Sequence, residues 1–233
     1  MNKSKLLIAF VVVLSVLFVV FQYNESETLA CLTRALIVPV FTILYFQTIK
    51  QKSFYFTMFL VLYAITDLSA IISDYLPYEI DYFVGNGLYI TAYLFLILEI
   101  FKSLNFIFIL RNYALHLVIL LGLNVYIIYI LLSIVYPYDF LTPEYFIELT
   151  YNIATLILLS ASLLNYFYRD DRKSFLLFIG SLCIVFSEVI QVAYMYIEEK
   201  NLLIFSSSIF SVLAFYFFYL QSNLINQKIK SLA

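Results

Sequence analysis

The chain has 233 residues, 64% of them hydrophobic and only 12% charged, with 13 Lys and Arg against 15 Asp and Glu for a formal net charge of −2. A soluble fold of this size has nowhere to hide so much apolar surface, so most side chains need lipid as their solvent. The near-neutral balance and short basic segments offer nothing for a nucleic acid to bind, and no nucleic-acid partner is expected.

A helix crossing a bilayer needs roughly 20 apolar residues at 1.5 Å rise each. Eight such runs follow one another, at about 5–22, 29–49, 54–73, 83–101, 113–135, 145–168, 174–196 and 201–221. The predicted fold is all-α, a polytopic transmembrane helix bundle of eight spans forming a single integral membrane domain over 1–233. The gaps are too short for a domain outside the membrane. The first run, with Lys3 and Lys5 before it, has the flank of a secretory signal. It ends, however, in Phe21-Gln22-Tyr23-Asn24 rather than small residues, and Thr28-Leu29-Ala30-Cys31 is a poor lipidation box behind Glu25 and Glu27. It is therefore read as a helix.

Charge orients the spans. Basic residues fall at the N-terminus (Lys3, Lys5), in the second gap (Lys50, Lys52), the fourth (Lys102, Arg111), the sixth (Arg169, Arg172, Lys173) and the C-terminus (Lys228, Lys230). The positive-inside rule makes both termini cytoplasmic. The alternate gaps carry the acids Glu25 and Glu27, then Asp74, Glu79 and Asp81, then Asp139 and Glu144, then Glu198 and Glu199, with Lys200 their one base.

Two cysteines at different depths, Cys31 and Cys183, and a single His116 beside Arg111 supply neither a metal set nor a disulfide. No Gly-rich phosphate loop and no Gly-x-Ser-x-Gly elbow occurs, so no cofactor and no metal are expected.

Five charged residues lie inside the runs: Arg34, Asp67, Glu99, Glu148 and Glu188. Each costs roughly 2.5 to 3.5 kcal/mol at mid-bilayer and should face the bundle interior or reach an interface. Glu99, three residues before Lys102, is placed for a helix-surface pair or for snorkelling at the cytoplasmic end. Counting along each helix, Arg34 lies about 7 Å below the outer end of its span, Asp67 about 9 Å, Glu188 about 12 Å and Glu148 about 5 Å. Their faces carry further polar groups at helical spacing: Tyr63 and Asp74 with Asp67, Ser181 and Gln191 with Glu188, Tyr151, Asn152 and Thr155 with Glu148, and Asn86, Tyr89 and Tyr93 on the fourth run. One polar cavity open toward the outer face would satisfy them all. The alternative is interhelical glue, with Arg34 paired to one acid and the rest hydrogen-bonded between helices.

At these residues the chain resembles the lysoplasmalogenase, or YhhN-like, family of eight-helix membrane proteins. The family's Thr-Lys-Pro-Leu-x-Met-Pro-like stretch is matched by Thr33-Arg34-Ala35-Leu36-Ile37-Val38-Pro39, and its Gly-Asp by Thr66-Asp67. Its Gly-rich start of the fourth helix, with Phe and then Ala-His, looks like Gly85 through Tyr89 followed by Ala92-Tyr93. Its seventh helix is matched by Lys173-Ser174, Gly180 and Ser187-Glu188 in order. Among the charged positions only Asp67 is unchanged, since Arg34 replaces a Lys, Glu188 an Asp and Tyr93 a His.

The resemblance implies hydrolysis of the vinyl-ether bond of a lysoplasmalogen. Such a bond breaks by protonation at carbon to an oxocarbenium ion, which water captures, so the site needs one protonated carboxyl and one carboxylate. Asp67 and Glu188 are the expected catalytic pair, Arg34 the expected phosphate contact, and Tyr93, Glu148 and Asn152 further substrate contacts. The expected partner is a membrane lipid or lysophospholipid, in what is taken as a bacterial inner membrane. The alternative function is a non-catalytic membrane protein that binds or transports a lipid or small amphiphile, and a purely structural role is the third reading.

Overall fold

The structure is a computed structural model that describes residues 3–135 and 142–230. Asp139, counted above among the acids of the fifth gap, lies outside the described residues.

Among the described residues ten α-helices follow in order: α1 (Lys3–Tyr23), α2 (Glu27–Ala35), α3 (Ile37–Thr48), α4 (Phe54–Ser69), α5 (Tyr78–Phe101), α6 (Phe106–Asn112), α7 (Ala114–Val135), α8 (Pro143–Arg169), α9 (Arg172–Tyr196) and α10 (Asn201–Lys230), with one 3-10 turn at Ser73–Tyr75. Among the described residues seven stretches are long and apolar enough to cross a membrane, α2 and α3 together forming one of them. The predicted third span is the exception. Its helix, α4, stops at Ser69 after 16 residues, about 24 Å of rise against a hydrocarbon core of about 30 Å.

The second run is two helices for a local reason. Pro39 has no N–H for the carbonyl of Ala35 and its ring crowds that carbonyl, so the helix breaks at Leu36, one turn upstream. Other boundaries are set by caps. Thr142 accepts the Tyr145 amide at 3.2 Å, with Pro143 in the first turn where its missing N–H costs nothing. Asp171 accepts the Ser174 amide at 2.7 Å. The short α6, capped by Asn105, was not foreseen from the run pattern.

Six segments close into a ring. α3 packs on α4, α4 on α5, α5 on α8, α8 on α9, α9 on α10, and α10 back on α3; α1 lies outside against α2 and α3, and α7 outside against α8. Around this ring α4 stands opposite α9. Its middle is dry and aromatic: Phe59, Phe215 and Phe218 are fully buried, with Phe59 stacked parallel to Phe215 at 6.0 Å and edge-on to Phe218 at 5.4 Å. Such contacts, each about 0.5–1.5 kcal/mol, hold together helices that lipid does not push together. Where α9 meets α10, Gly180 lets the Phe218 ring approach closely, and the Ser187 hydroxyl donates to the Ser207 carbonyl at 2.8 Å.

The outside is apolar. In α7 the buried residues are Leu131 and Leu132, whereas Val118 and Leu121 are 68% and 65% exposed. An apolar exterior around an interior with polar ends is what an integral membrane protein requires.

Candidate functional site

At the end of the ring that carries Glu25, Glu27, Glu198 and Glu199, a cavity of about 380 Å³ opens between α2, α4, α9 and α10. Arg34, Asp67 and Glu188 all border it, coming from three different helices. Phe18, Val38 and Ile204 supply apolar wall, and Gln22 and Glu27 border it on the α1–α2 side.

Arg34 owes its position to the break at Leu36, which leaves it in the last turn of α2, where a cation is favoured by the helix dipole. Its guanidinium donates to Gln191 Oε1 on α9. The ion pairs within 4.0 Å among the described residues are Arg169–Asp171 and Lys200–Glu198. Arg34 therefore faces the cavity through a neutral amide partner, not paired with an acid as the glue reading requires.

Both carboxyl groups are held by tyrosines. The Tyr89 hydroxyl donates to Asp67 Oδ1 at 2.7 Å, and the Tyr93 hydroxyl donates to Glu188 Oε1 at 2.9 Å. Tyr63, one turn before Asp67 on α4, reaches across the ring to the same Glu188 oxygen at 3.5 Å. Tyr89 and Tyr93 are one turn apart on α5, so the two carboxyls are offset along the bundle by on the order of 6 Å. Ring contacts lock this set: Tyr63 meets Tyr89 at 4.8 Å, and Tyr93 meets Tyr151 of α8 at 5.7 Å.

The other expected contacts lie elsewhere. Tyr93 is fully buried and reaches the cavity through Glu188 rather than directly. Glu148 and Asn152 border a separate hollow of about 30 Å³ on the far side of Glu188, room for about one water. Glu148 is answered there by the Tyr82 hydroxyl at 2.9 Å. Glu99 accepts from Ser53, while the Lys102 ammonium lies 3.9 Å over the Tyr55 ring, so of the two alternatives for Glu99, a helix-surface pair or snorkelling, the pair with Lys102 does not form.

Gln191, Tyr63 and Tyr89 join the site although the sequence reading gave them no role beyond a polar stripe. Glutamine at helical spacing from Glu188 was the available signal; nothing marks two tyrosines among 22. Among the described residues no group of three or more His, Cys, Asp or Glu comes together as a metal would need. The chain matches no family model, no curated protein and no solved structure.

Proposed function

We propose that this protein is a bacterial inner-membrane hydrolase that crosses the bilayer eight times, with both termini cytoplasmic, and cleaves the vinyl-ether bond of a lysophospholipid in its acidic-end cavity. The observation that carries the reading is that Asp67 and Glu188, from helices on opposite sides of the ring, border one cavity with Arg34, which makes no ion pair within 4.0 Å among the described residues. The alternation of basic and acidic gaps supports the orientation. α4 would be the eighth crossing, short because it is enclosed by neighbours rather than matched to lipid on every side.

In this reading Arg34 takes the phosphate as a charge-assisted hydrogen-bond donor, and the apolar wall takes the first part of the chain. Glu188 has two tyrosine donors against one for Asp67. More hydrogen bonds favour its ionised form, so the acid role goes to Asp67 and the base role to Glu188. Asp67 delivers its proton to the vinyl carbon remote from oxygen, and the electron pair of the double bond forms the new C–H bond. The resulting oxocarbenium ion is held by the Glu188 carboxylate. Water then adds to the cationic carbon as Glu188 takes its proton, and the hemiacetal collapses to a fatty aldehyde as Glu188 returns that proton to the departing glycerol oxygen and Asp67 takes the hemiacetal hydroxyl proton, which restores both carboxyls.

The test is aldehyde release from lysoplasmalogen by the purified chain in detergent. Wild type should turn over, and Asp67→Asn and Glu188→Gln should each lose about 10²-fold or more while keeping wild-type helicity. Near-normal rates in both variants would remove the site assignment. An inert wild type that still binds a lysophospholipid in an Asp67-dependent way would leave the binding function in its place.

A further inference from the structure

The acidic-end cavity is small for the ligand proposed for it. Its volume of about 380 Å³ stands near the lower limit of the roughly 300–1,000 Å³ of pockets that enclose drug-sized molecules. A lysophospholipid brings a head group, the reacting bond and an alkyl chain that reaches about 15 Å into its leaflet, half of a hydrocarbon core of about 30 Å. Head group and bond fill the cavity, so most of the chain has to leave it through a wall.

Most of the walls are shut. Toward the middle of the bundle stands the layer of Phe59, Phe215 and Phe218, and a second cavity, of about 270 Å³ at the basic end, begins only beyond that layer. On one flank α4 packs on α5, and α9 packs on both α8 and α10. On the other, α2 is tied to α4 where the Cys31 thiol donates to the Ala70 carbonyl at 3.5 Å. The side between α2 and α10 is different. It is α3 that packs on α10, and α2, beyond the break at Leu36, packs on α1, α3 and α4.

A single helix covers that gap, α1, which stands outside the ring. Its inner stripe is Val11, Leu14, Phe18 and Gln22, at helical spacing; the first two join the main core, whereas Phe18 and Gln22 border the cavity. Phe18 is 2% exposed on a helix whose other faces are largely open to lipid. It forms a small apolar cluster with Ala30 of α2 and Ile204 of α10, separate from the main core. The Phe18 ring stands edge-on to Phe205 of α10 at 6.3 Å, and Phe205 is half-buried and outside the cavity lining. Cavity and lipid are therefore one pair of rings apart. Parting two apolar faces in a bilayer exposes them to hydrocarbon rather than water, so the hydrophobic penalty that would hold such a seam closed in a soluble protein is missing.

We propose that the seam between α1 and α10 is the portal and binding site for the ligand's alkyl chain. The chain enters from the leaflet on the acidic side between Phe18 and Phe205 and stays there, while Arg34, Asp67 and Glu188 meet the head group and the reacting bond inside. This assignment rests on the reading that the cavity takes a lysophospholipid, and it serves cleavage and plain binding equally.

The experiment is photolabelling of the full chain in detergent with a lysophospholipid that carries a diazirine midway along its alkyl chain. Adducts on residues 16–21 of α1 and 202–209 of α10, suppressed about tenfold by excess unlabelled lysophospholipid, support the portal. Suppressible adducts on other helices in their place overturn it and leave the cavity its ligand. No suppressible adduct anywhere overturns it together with the reading it rests on. A second measurement uses Phe18→Cys with Phe205→Cys, in a chain whose native cysteines are replaced, joined by a bismaleimide whose linker a reductant cleaves. The bridged protein should take up the lysophospholipid about tenfold more slowly than the same protein unbridged. Reduction should restore the rate, which a loss of folding would not allow. Uptake by the bridged protein at the unbridged rate overturns the portal.

Discussion

Asp171 sits in the two-residue connection between α8 and α9 and ties both ends of it. Burial works to raise its pKa, but the Ser174 amide and hydroxyl and the Arg169 guanidinium outweigh burial and hold the carboxyl below the usual carboxylate range. A folded-state value lower than the unfolded one gives stability that is complete above about pH 4, the unfolded value, and is lost as pH falls through the folded value. Asp171→Asn keeps a capping oxygen without the charge, so its melting temperature in detergent should fall less than that of wild type between about pH 5 and about pH 3. Asp171→Ala should cost about 0.5–2 kcal/mol at neutral pH, as a lost N-cap does. An equal acid-side decline in wild type and Asp171→Asn would show that this carboxyl has no part in it. The same scale explains what could be read of the candidate site without coordinates. Arg34, Asp67 and Glu188 stood out because a charge in an apolar run must be answered by something. Of the tyrosines that answer the acids, Tyr93 stood out through the family resemblance, but Tyr63 and Tyr89 did not, because an isolated hydroxyl on an aromatic ring looks the same whether it faces lipid headgroups or a buried carboxylate.

Helix pairs set the next scale. A Cβ added at Gly180 would lie 2.6 Å from Phe218 Cε1, inside any allowed contact. The ring cannot withdraw, since it is fully buried and packs against Phe56, Phe59 and Phe215. Gly180→Ala should therefore destabilise by about 1–3 kcal/mol, the usual size of an overpacking strain, and Gly180→Ala with Phe218→Leu should recover most of it. Thermal melts of the three variants in one detergent decide this, and a Gly180→Ala protein as stable as wild type would mean that α9 and α10 slide apart freely. Hydropathy runs foretold the long helices because length and apolarity are what a crossing needs. They could not foretell the break at Leu36 or the early stop of α4 at Ser69, because both arise inside stretches of unbroken apolar character. Pro39 was visible in the sequence; its effect falls one turn upstream, on the carbonyl of Ala35.

At the scale of the molecule, the two halves of the chain are built alike. Each begins with a helix left outside the ring, α1 or α7, and follows it with three consecutive ring segments, α2–α3, α4 and α5 or α8, α9 and α10. Asp67 on α4 and Glu188 on α9 occupy the second ring segment of each half, which is why the ring sets them opposite each other. Apolar runs alone predicted the long helices but not the ring, since the choice of neighbours depends on which small and aromatic faces fit. The proposed orientation has its own test. In a chain whose native cysteines are replaced, Asn24→Cys should react with an impermeant maleimide added to the outside of cells, and Arg111→Cys only after permeabilisation. The reverse pattern would overturn the orientation without touching the fold. Between the two end cavities lies the packed layer of Phe59, Phe215 and Phe218, with Leu44, Leu96 and Leu158 equally sealed from solvent. Among the described residues no side chain borders both cavities, so the two do not meet through this layer. The two cavities are thus wells sunk from opposite ends of the bundle, back to back, with a hydrocarbon partition between them.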